Sequence, residues 1–364
     1  MKSYITSIGA ATPNNKASQQ QSAKILASVL NLEEREERRL AALFRATGIE
    51  SRYSVVEDYL KERGEYNFFP NDVSGDFPTV GKRMKLFEKA ALPLAVDAIT
   101  DCFAKQNETT INDITHLIVV SCTGMYAPGL DIEIIQHYNL RPDIKRTAIN
   151  FMGCYAALNA LKVADAFCKS EPNARILIVC LELCTLHFQK DTNKDQLLSC
   201  AIFSDGAAAV LVQPMPSKQL SLSIEAAYCT MALHGKNEMA WHISDEGFTM
   251  TLTSYVPVLI KEGIKELTDK LLQNINLSEI SYYAIHPGGR KILEVIEEEL
   301  GLTKEDNCHA YEVLRNYGNM SSPTILFVLN SIFKNLNPSD KDKKILSFAF
   351  GPGLTLESML FKIN

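Results

Sequence analysis

The order of apolar and polar positions predicts alternating strands and helices along the first half of the chain. Short, continuous apolar runs are typical of strands buried on both faces, and the segments between them repeat apolar residues at helical spacing. The predicted strands are 3–9, 114–121, 147–151, 175–182 and 207–212, and the predicted helices are 17–30, 33–44 and 154–168. A loop with proline and glycine is predicted over 66–80. This alternation indicates an α/β fold.

The second half of the chain repeats landmarks of the first half at a nearly constant offset. Ile114 and Ile280 each lie at the start of a strand candidate, and they stand 166 positions apart. Cys154 and Asn319 each follow a glycine where a helix candidate begins, and they stand 165 positions apart. We favour an ancient duplication over chance similarity, although short β-then-α patterns are common.

The length of 364 residues suggests two domains or one large duplicated unit. A break with two prolines lies between residues 213 and 217, and it separates the two halves. The predicted halves are an N-terminal one, 1–213, and a C-terminal one, 214–364.

Composition and charge narrow the classes of function. Hydrophobic residues make up 46% of the chain and charged residues 22%, which is typical of globular proteins. The net charge of −6 argues against binding to nucleic acid, which needs a basic surface. No apolar stretch approaches the roughly 20 residues of a membrane span. Nine cysteines without the spacing of a disulfide framework favour free thiols in a reducing cytoplasm.

Cys154 is the first candidate for chemistry. It follows a predicted strand and Gly153, which permits a tight turn, and small residues let a helix begin directly after it. A thiol at the N-terminus of a helix lies in the positive end of the helix dipole, which favours the thiolate. The other cysteines lack this context and are interpreted as small buried residues. No HExxH, Cys-x-x-Cys, GxSxG or Walker motif is present, so no metal site is predicted.

His286 and Asn319 are the next candidates. His286 ends a predicted strand, and Pro287 with two glycines forces a turn directly after it, which is typical of a residue facing a cleft. Asn319 lies at the start of an apolar helix, where a simple helix cap is the alternative role. Because the repeat offset pairs Asn319 with Cys154, we expect both to lie near one cleft.

Several stretches resemble the type III polyketide synthases, the chalcone synthase-like branch of the thiolase superfamily. The stretches that carry the resemblance are NFMGCYAAL, CTGMYAPGLD, IFSDGAAAVLV, HPGGR, GNMSSP and GPGLT, in chain order apart from the first two. The match covers roughly residues 110–360. The resemblance implies a thiolase-like αβαβα layered fold with two pseudo-duplicated halves, and a homodimer.

By this resemblance, Cys154 is a nucleophile that accepts an acyl group from a coenzyme A thioester, and His286 and Asn319 complete its triad. A thiolate–imidazolium pair between Cys154 and His286 is expected. The resemblance implies that the substrate is bound by Phe203, Cys122, Thr123, His187, Trp241, Met250, Ser321, Gly351, Pro352 and Gly353. It also implies that coenzyme A is bound by Lys291 and, more loosely, by Arg39, Arg45 and Arg52.

Some positions depart from the pattern of the plant enzymes. Trp241, the only tryptophan, stands where those enzymes have a glycine on the cavity wall, and Met250 stands where they have a phenylalanine. His187 falls near a threonine position, and Ala127 replaces a methionine that reaches across the plant dimer. We therefore expect a redirected cavity and an aliphatic acyl starter rather than a phenylpropanoid one.

The resemblance implies decarboxylative Claisen condensation of an acyl-CoA starter with malonyl-CoA, followed by cyclisation to a resorcinol, phloroglucinol or pyrone. Coenzyme A thioesters are then substrates, and no further cofactor is expected. A single-round ketoacyl synthase is one alternative, because it shares the Cys, His and Asn residues. A Cys–His–Asn thioester hydrolase and a non-catalytic thiolase-like binding protein are the others.

Overall fold

The computed structural model describes residues 2–364, and it contains thirteen strands and ten α-helices in that range. The strands are β1 (Tyr4–Ala11), β2 (Asn15–Ser18), β3 (Ser51–Ser54), β4 (His116–Ser121), β5 (Lys145–Asn150), β6 (Ile176–Leu183), β7 (Asp205–Gln213), β8 (Leu222–Met231), β9 (Met239–Ser244), β10 (Gly247–Leu252), β11 (Ile280–Ile285), β12 (Lys344–Gly351) and β13 (Thr355–Ile363). The helices are α1 (Gln19–Leu30), α2 (Glu34–Ala46), α3 (Val80–Ala104), α4 (Leu130–Tyr138), α5 (Ala156–Ser170), α6 (Lys194–Ile202), α7 (Val256–Leu272), α8 (Arg290–Leu300), α9 (Cys308–Tyr317) and α10 (Ser322–Asn335).

Within residues 2–364, nine strands form one mixed sheet in the order β11-β12-β13-β8-β1-β7-β6-β4-β5. The pairs of β4 with β5, β4 with β6 and β11 with β12 are parallel, and the remaining pairs in the sheet are antiparallel. Strands β2 and β3 form a separate pair, and β9 and β10 form a hairpin. Both small pairs lie outside the main sheet, and both contribute residues to the candidate site described below.

The order of four main-sheet strands repeats in the two halves of the chain, and the N-terminal half adds β5 at the edge. The N-terminal half has the order β1-β7-β6-β4-β5, and the C-terminal half has β8-β13-β12-β11. Counting main-sheet strands alone, the first strand of each half lies beside the last, followed by the next-to-last and then the second. Strands β1 and β8 join the halves through the pairs of Tyr4 with Ser223 and Ile5 with Leu222. A duplication accounts for this repeat, while the boundary between residues 213 and 214 stays a prediction.

Alternate side chains of the central strands enter two different cores. Ile118 and Val120 of β4 belong to the core that contains α5 and α10, whereas Leu117 and Val119 face the core that contains α3. Strands β6 and β7 follow the same alternation. Because both faces are covered, these strands are apolar at nearly every position, and the continuous apolar runs predicted them correctly. No helix in the described range is long and apolar enough to cross a membrane.

Candidate active site

Cys154 lies where β5 passes into α5. Residues Gly153–Tyr155 form one turn of 3-10 helix directly before α5, as the sequence predicts for a helix start. Gly153 has φ +74°, and a Cβ on it would lie 2.3 Å from Pro352 Cδ. The loop Gly351-Pro352-Gly353 therefore packs against the turn that presents the thiol, and no larger residue fits at position 153.

The three triad candidates come together from the two halves of the chain. Cys154 Sγ lies 4.0 Å from Asn319 Nδ2 and 3.6 Å from Ser321 Oγ. His286, which follows β11 directly, lines the same cavity and is 1% exposed. Neither ring nitrogen of His286 has a hydrogen-bond partner among residues 2–364. The repeat offset thus predicted a real proximity between Cys154 and Asn319.

Hydrogen bonds fix the orientation of the Asn319 amide. Its Oδ1 accepts from the backbone N–H of Ser321 at 2.8 Å and from Thr324 Oγ1 at 3.3 Å. Its Nδ2 donates to the Gly288 carbonyl at 3.3 Å and faces Cys154 Sγ. The oxygen therefore helps to order the start of α10, as in the helix-cap alternative, while one Nδ2 hydrogen remains for a ligand in the site.

A cavity of about 990 Å³, including its opening, surrounds these residues. The sequence-predicted residues that line it are Arg52, Cys122, Thr123, Cys154, His187, Phe203, Trp241, Met250, His286, Asn319, Ser321 and Pro352. Gly351 and Gly353 flank Pro352 instead, and a Cβ on Gly351 would lie 2.4 Å from the ring of Tyr155. Eight of the ten predicted substrate-binding residues therefore line the cavity, and these two glycines do not.

Burial controls the protonation of the nucleophile and the histidine. Burial raises the pKa of Cys154 to about 11, and the charge of Glu182 adds to this effect. Burial also lowers the pKa of His286 to about 3. The predicted thiolate–imidazolium pair is therefore not favoured, because both groups are neutral at pH 7. The helix dipole contributes about 0.3–1 kcal/mol, which is less than the cost of burying the thiolate.

Glu182 at the end of β6 is a buried acid that the sequence analysis did not single out. Its carboxylate accepts hydrogen bonds from Cys122 N at 2.9 Å, Thr123 Oγ1 at 2.8 Å and Ser322 Oγ at 2.8 Å. Burial raises the pKa of Glu182 to about 7, and the hydrogen bonds only partly oppose this rise. Glu182 could have been identified from the sequence, because it is a charged residue at the end of the otherwise apolar strand β6.

Aromatic side chains close one wall of the cavity. Trp241 on β9 pairs across the hairpin with Met250 on β10, so the two departures from the plant pattern lie side by side. Trp241 Nε1 donates to the Cys122 carbonyl at 2.8 Å. The His187 ring stacks on Phe248 with centroids 4.2 Å apart and meets Trp241 edge-on at 5.5 Å. Phe248 was not predicted as a site residue, because its role depends on these distant partners.

The nitrogens of His187 are occupied by the protein. Nε2 donates to the Thr123 carbonyl at 2.7 Å, and Nδ1 accepts from the Phe248 N–H at 3.1 Å. Burial lowers the pKa of His187 to about 3, so the ring is neutral. His187 therefore shapes the wall with its ring and has no free nitrogen for a substrate.

A second cavity of about 830 Å³, including its opening, shares the lining residues Leu252, Gly288 and Ile292 with the first. Lys291 lines this second cavity with an exposed ammonium group, next to the exposed Arg290. Arg39 and Arg45 are exposed on α2, and the C-terminal end of α2 also lines the second cavity. Of these four cations, Arg290 and Lys291 line the second cavity, whereas Arg39 and Arg45 lie outside its lining. Within residues 2–364, no group of three or more His, Cys, Asp and Glu side chains is arranged to hold a metal ion.

Arg52 is buried in the protein and does not lie at the surface. It is 4% exposed, and its Nη1 donates to the backbone carbonyl of Phe203 at 2.6 Å and to that of Cys200. A guanidinium held in this way is not available to phosphates at the surface, so the predicted contact with coenzyme A is wrong for this residue. Its charge suggested a surface role because the carbonyls that hold it lie about 150 positions away in the sequence.

Comparisons with known proteins identify the family of the chain. Two family models, described as chalcone and stilbene synthases, match the chain: the N-terminal domain at residues 1–216 and the C-terminal domain at residues 223–363. A probable polyketide synthase of Dictyostelium discoideum is 29% identical over 99% of this chain, which spans only 11% of that protein. An alpha-pyrone synthesis polyketide synthase-like protein of Mycobacterium tuberculosis is 32% identical over 78% of this chain and 74% of its own length.

The fold comparison gives the same result. The crystal structure of PKS-I from the brown alga Ectocarpus siliculosus matches with a TM-score of 0.90 and 29% identity, over 99% of this chain and 98% of that one. This match confirms the predicted thiolase-like layered α/β fold. Together with the two family models, it shows that the chain belongs to the chalcone and stilbene synthase family of type III polyketide synthases.

Proposed function

We propose that the protein extends an aliphatic acyl-CoA starter with malonyl-CoA by decarboxylative Claisen condensation. The polyketide then cyclises to a resorcinol, phloroglucinol or pyrone. The observation that carries this proposal is the convergence of Cys154, His286 and Asn319 on one cavity, next to a second cavity lined by Arg290 and Lys291. A thiol supplies the acyl carrier, and two neutral donors supply the stabilisation that decarboxylation requires.

Loading of the starter uses Cys154 and His286. Sγ attacks the thioester carbonyl carbon, a new carbon–sulfur bond forms, and the bond to the coenzyme A sulfur breaks. The thiol proton passes to His286 and then to the departing sulfur, so the products are acyl-Cys154 and free coenzyme A. Burial disfavours both the Cys154 thiolate and the His286 imidazolium. Transfer of the proton at the same time as Sγ attacks therefore suits this cavity.

Extension uses Asn319 and His286 as donors. When malonyl-CoA loses carbon dioxide, the electron pair of the broken bond forms an enolate on the thioester. The Nδ2 hydrogen of Asn319 that Gly288 does not accept and the N–H of a neutral His286 would both stabilise the enolate oxygen. The enolate carbon then attacks the acyl carbon on Cys154, a carbon–carbon bond forms and the bond to Sγ breaks. Sγ leaves as a thiolate and takes a proton from water, which restores the thiol for the next loading step. The low pKa of His286 supports a neutral N–H donor in this step.

The chemistry of the wall supports an aliphatic starter. Flexible or branched apolar side chains line the cavity at Met239, Met250 and Leu252, while Trp241 narrows the side where the plant enzymes have glycine. Such a wall suits a linear chain better than a rigid aromatic ring. The cations at Lys291 and Arg290 suit the phosphates of coenzyme A, with the second cavity holding its pantetheine arm.

We also propose a homodimer in the cytoplasm. Strand β5 lies at one edge of the main sheet, and an edge strand offers unpaired backbone groups to a second copy. Nine free thiols suit a reducing compartment. Light scattering on a sizing column would measure the mass of the protein in solution, and a single species of about 40.5 kDa would contradict the dimer.

Product analysis tests the proposed reaction. The protein is incubated with malonyl-CoA and a panel of straight-chain and aromatic acyl-CoAs, and the products and the intact protein are measured by mass spectrometry. We expect cyclised products from straight-chain starters and an acyl adduct on Cys154. Cys154→Ala should lose both, whereas Cys308→Ala, at an exposed thiol, should retain them.

Other outcomes distinguish the alternatives. One condensation per product would indicate a single-round ketoacyl synthase, and free acid alone would indicate a thioester hydrolase. An adduct on a cysteine other than Cys154, or a preference for p-coumaroyl-CoA, would contradict the mechanism or the starter class proposed above.

A further inference from the structure

Strand β3 connects the loops that carry Phe203 and Asn319. On the side of the C-terminal half, Glu50 N donates to the Arg315 carbonyl at 2.8 Å, and Ser51 Oγ donates to the Asn316 carbonyl at 2.8 Å. These contacts fix the end of α9, from which the chain passes through Gly318 to Asn319. Strand β3 therefore holds the segment that leads directly into a triad residue.

The other side of the strand holds the segment after Phe203. Tyr53 N donates to Ser204 Oγ at 2.9 Å, and Ser204 Oγ donates to the Tyr53 carbonyl at 3.1 Å. Val55 N donates to Asp205 Oδ2 at 2.8 Å. One short strand thus makes hydrogen bonds to both halves of the chain, immediately beside the cavity.

Arg52 lies at the centre of this connection. Its guanidinium donates to the Phe203 and Cys200 carbonyls at the end of α6. Its aliphatic stem packs against Gly318, where a Cβ would lie 3.1 Å from Arg52 Cγ. Gly318 has φ +71° and precedes Asn319. The same side chain therefore contacts the backbone beside Phe203 and the backbone beside Asn319.

Phe203 and Asn319 are also joined directly. Asn319 N donates to the Ile202 carbonyl at 3.0 Å, and Ser204 N donates to the Asn319 carbonyl at 2.9 Å. A shift of the carbonyls at the end of α6 would therefore move the Asn319 amide relative to Cys154. We propose that Arg52 is a positioning residue that sets the Asn319 amide and the Phe203 ring for decarboxylation of the malonyl group.

The cost of burying Arg52 supports a specific role. The Arg52 guanidinium makes no direct ion pair within residues 2–364, and the charge of Asp205 offsets its burial only in part, although a buried charge is expensive unless it is paired. An apolar side chain of similar size would avoid this cost, but it could not bind two carbonyls at once. A lysine could bind one of them, so Arg52→Lys is expected to retain part of the function.

The inference rests on the proposed condensation, and two separate rates test it. Starter loading is followed as the acyl adduct on Cys154, and malonyl decarboxylation is followed as release of labelled carbon dioxide without a starter. Arg52→Met should slow decarboxylation by about 100-fold, the order of loss that misplacement by about 1 Å produces. Loading should fall much less, since Cys154 and its turn do not contact Arg52. Arg52→Lys should recover part of the decarboxylation rate.

Arg83→Met is the matched control. Arg83 is also fully buried, and it also donates only to backbone carbonyls, those of Pro78, Glu246 and Leu186, but it does not line the cavity of the triad. This variant should lose thermal stability while the ratio of decarboxylation to loading stays at the wild-type value. The ratio is the readout that a purely structural role would not change.

The outcomes separate the two levels of the proposal. A wild-type protein that loads no starter and releases no carbon dioxide would contradict the proposed function itself. If wild type does both, Arg52→Met should lower the ratio of decarboxylation to loading. Equal fold-losses in the two rates would leave that ratio unchanged and would overturn the positioning role. If Arg52→Met shows no cooperative unfolding, Arg52→Lys decides the question: a ratio equal to that of wild type overturns the role, and a reduced ratio supports it.

Discussion

Replacing Glu182 by glutamine should change how the stability of the protein depends on pH. The three closest donors to its carboxylate are neutral groups: the N–H of Cys122 and the hydroxyls of Thr123 and Ser322. A glutamine can keep these contacts, because its carbonyl accepts from Cys122 and Thr123 while its amide donates to the Ser322 hydroxyl. Glu182→Gln therefore removes the ionisable proton with little change in shape.

The size of the effect follows from the pKa of Glu182. Burial raises this pKa from the ordinary value of 4.5 to about 7. The gap corresponds to about 3 kcal/mol at 1.36 kcal/mol per pH unit. Because the folded state holds the proton more tightly, this contribution is fully present below pH 4.5 and is lost as the pH rises to about 7. About 2.5 kcal/mol of the loss falls between pH 5 and pH 8.

Denaturation at two pH values measures the effect. The free energy of unfolding of Glu182→Gln, minus that of wild type, should increase by about 2.5 kcal/mol between pH 5 and pH 8. For a chain of this length, that difference corresponds to about 3 °C in Tm. Glu305→Gln, at an exposed carboxylate, is the control and should follow the wild-type pH profile.

A second measurement connects Glu182 to the nucleophile. The charge of Glu182 raises the pKa of Cys154, so Glu182→Gln should lower that pKa and speed alkylation of Cys154 by iodoacetamide at pH 8. Parallel stability profiles for wild type and variant, together with unchanged alkylation, would show that Glu182 is not desolvated in the folded protein and would refute this reasoning.

Two further predictions concern the cavity. Asn319→Ala should slow malonyl decarboxylation by about 100- to 1000-fold, the usual cost of losing one oxyanion donor, and should slow starter loading less. Equal and small losses in both rates would make Asn319 a helix cap only. Trp241→Gly should admit bulkier acyl-CoA starters or allow additional extensions while loading of Cys154 is retained, and an unchanged product profile across the acyl-CoA panel would show that this wall does not set specificity.

The sequence could predict elements whose signal is local. Strands β4, β6 and β7 are continuous apolar runs because both of their faces are covered, and the run itself records this burial. The turn at Cys154 was visible because Gly153 must adopt positive φ there. Asn319 was found through the repeat offset, since a duplicated fold places equivalent loops around one centre.

Features that depend on distant partners were missed. Helix α3 has a proline at position 93 inside its 25 residues, and proline normally argues against a helix interior. Strand β3 has only four residues, and its place is set by contacts with Ser204 and Asn316, which lie far away in sequence. Arg52 was misassigned for the same reason: its charge is visible in the sequence, but the carbonyls that bury it are not.

Protonation at Cys154 shows how burial outweighs a local signal. A position at the N-terminus of a helix favours the thiolate, and Cys154 does lie at such a position. Burial nevertheless raises the pKa of Cys154 from an ordinary 9.0 to about 11. The rise is worth about 3 kcal/mol, which exceeds the typical contribution of a helix dipole. Local sequence reveals the dipole, whereas the depth of the cavity depends on strands and loops from both halves of the chain.

The duplication explains why a cavity that disfavours a resting charge can still stabilise a transient one. Helix α5 begins directly after Cys154, and α10 begins directly after Ser321, so equivalent helices from the two halves direct their N-termini at the same space. Their N-terminal dipoles are positive and fixed, and the Asn319 amide adds donors that need no reorganisation. A permanent anion would pay the full cost of burial throughout the cycle. An enolate exists only during decarboxylation, and the helix dipoles and the Asn319 amide are already oriented toward it when it forms. Because they stabilise the enolate more than the resting site, they lower the barrier to decarboxylation.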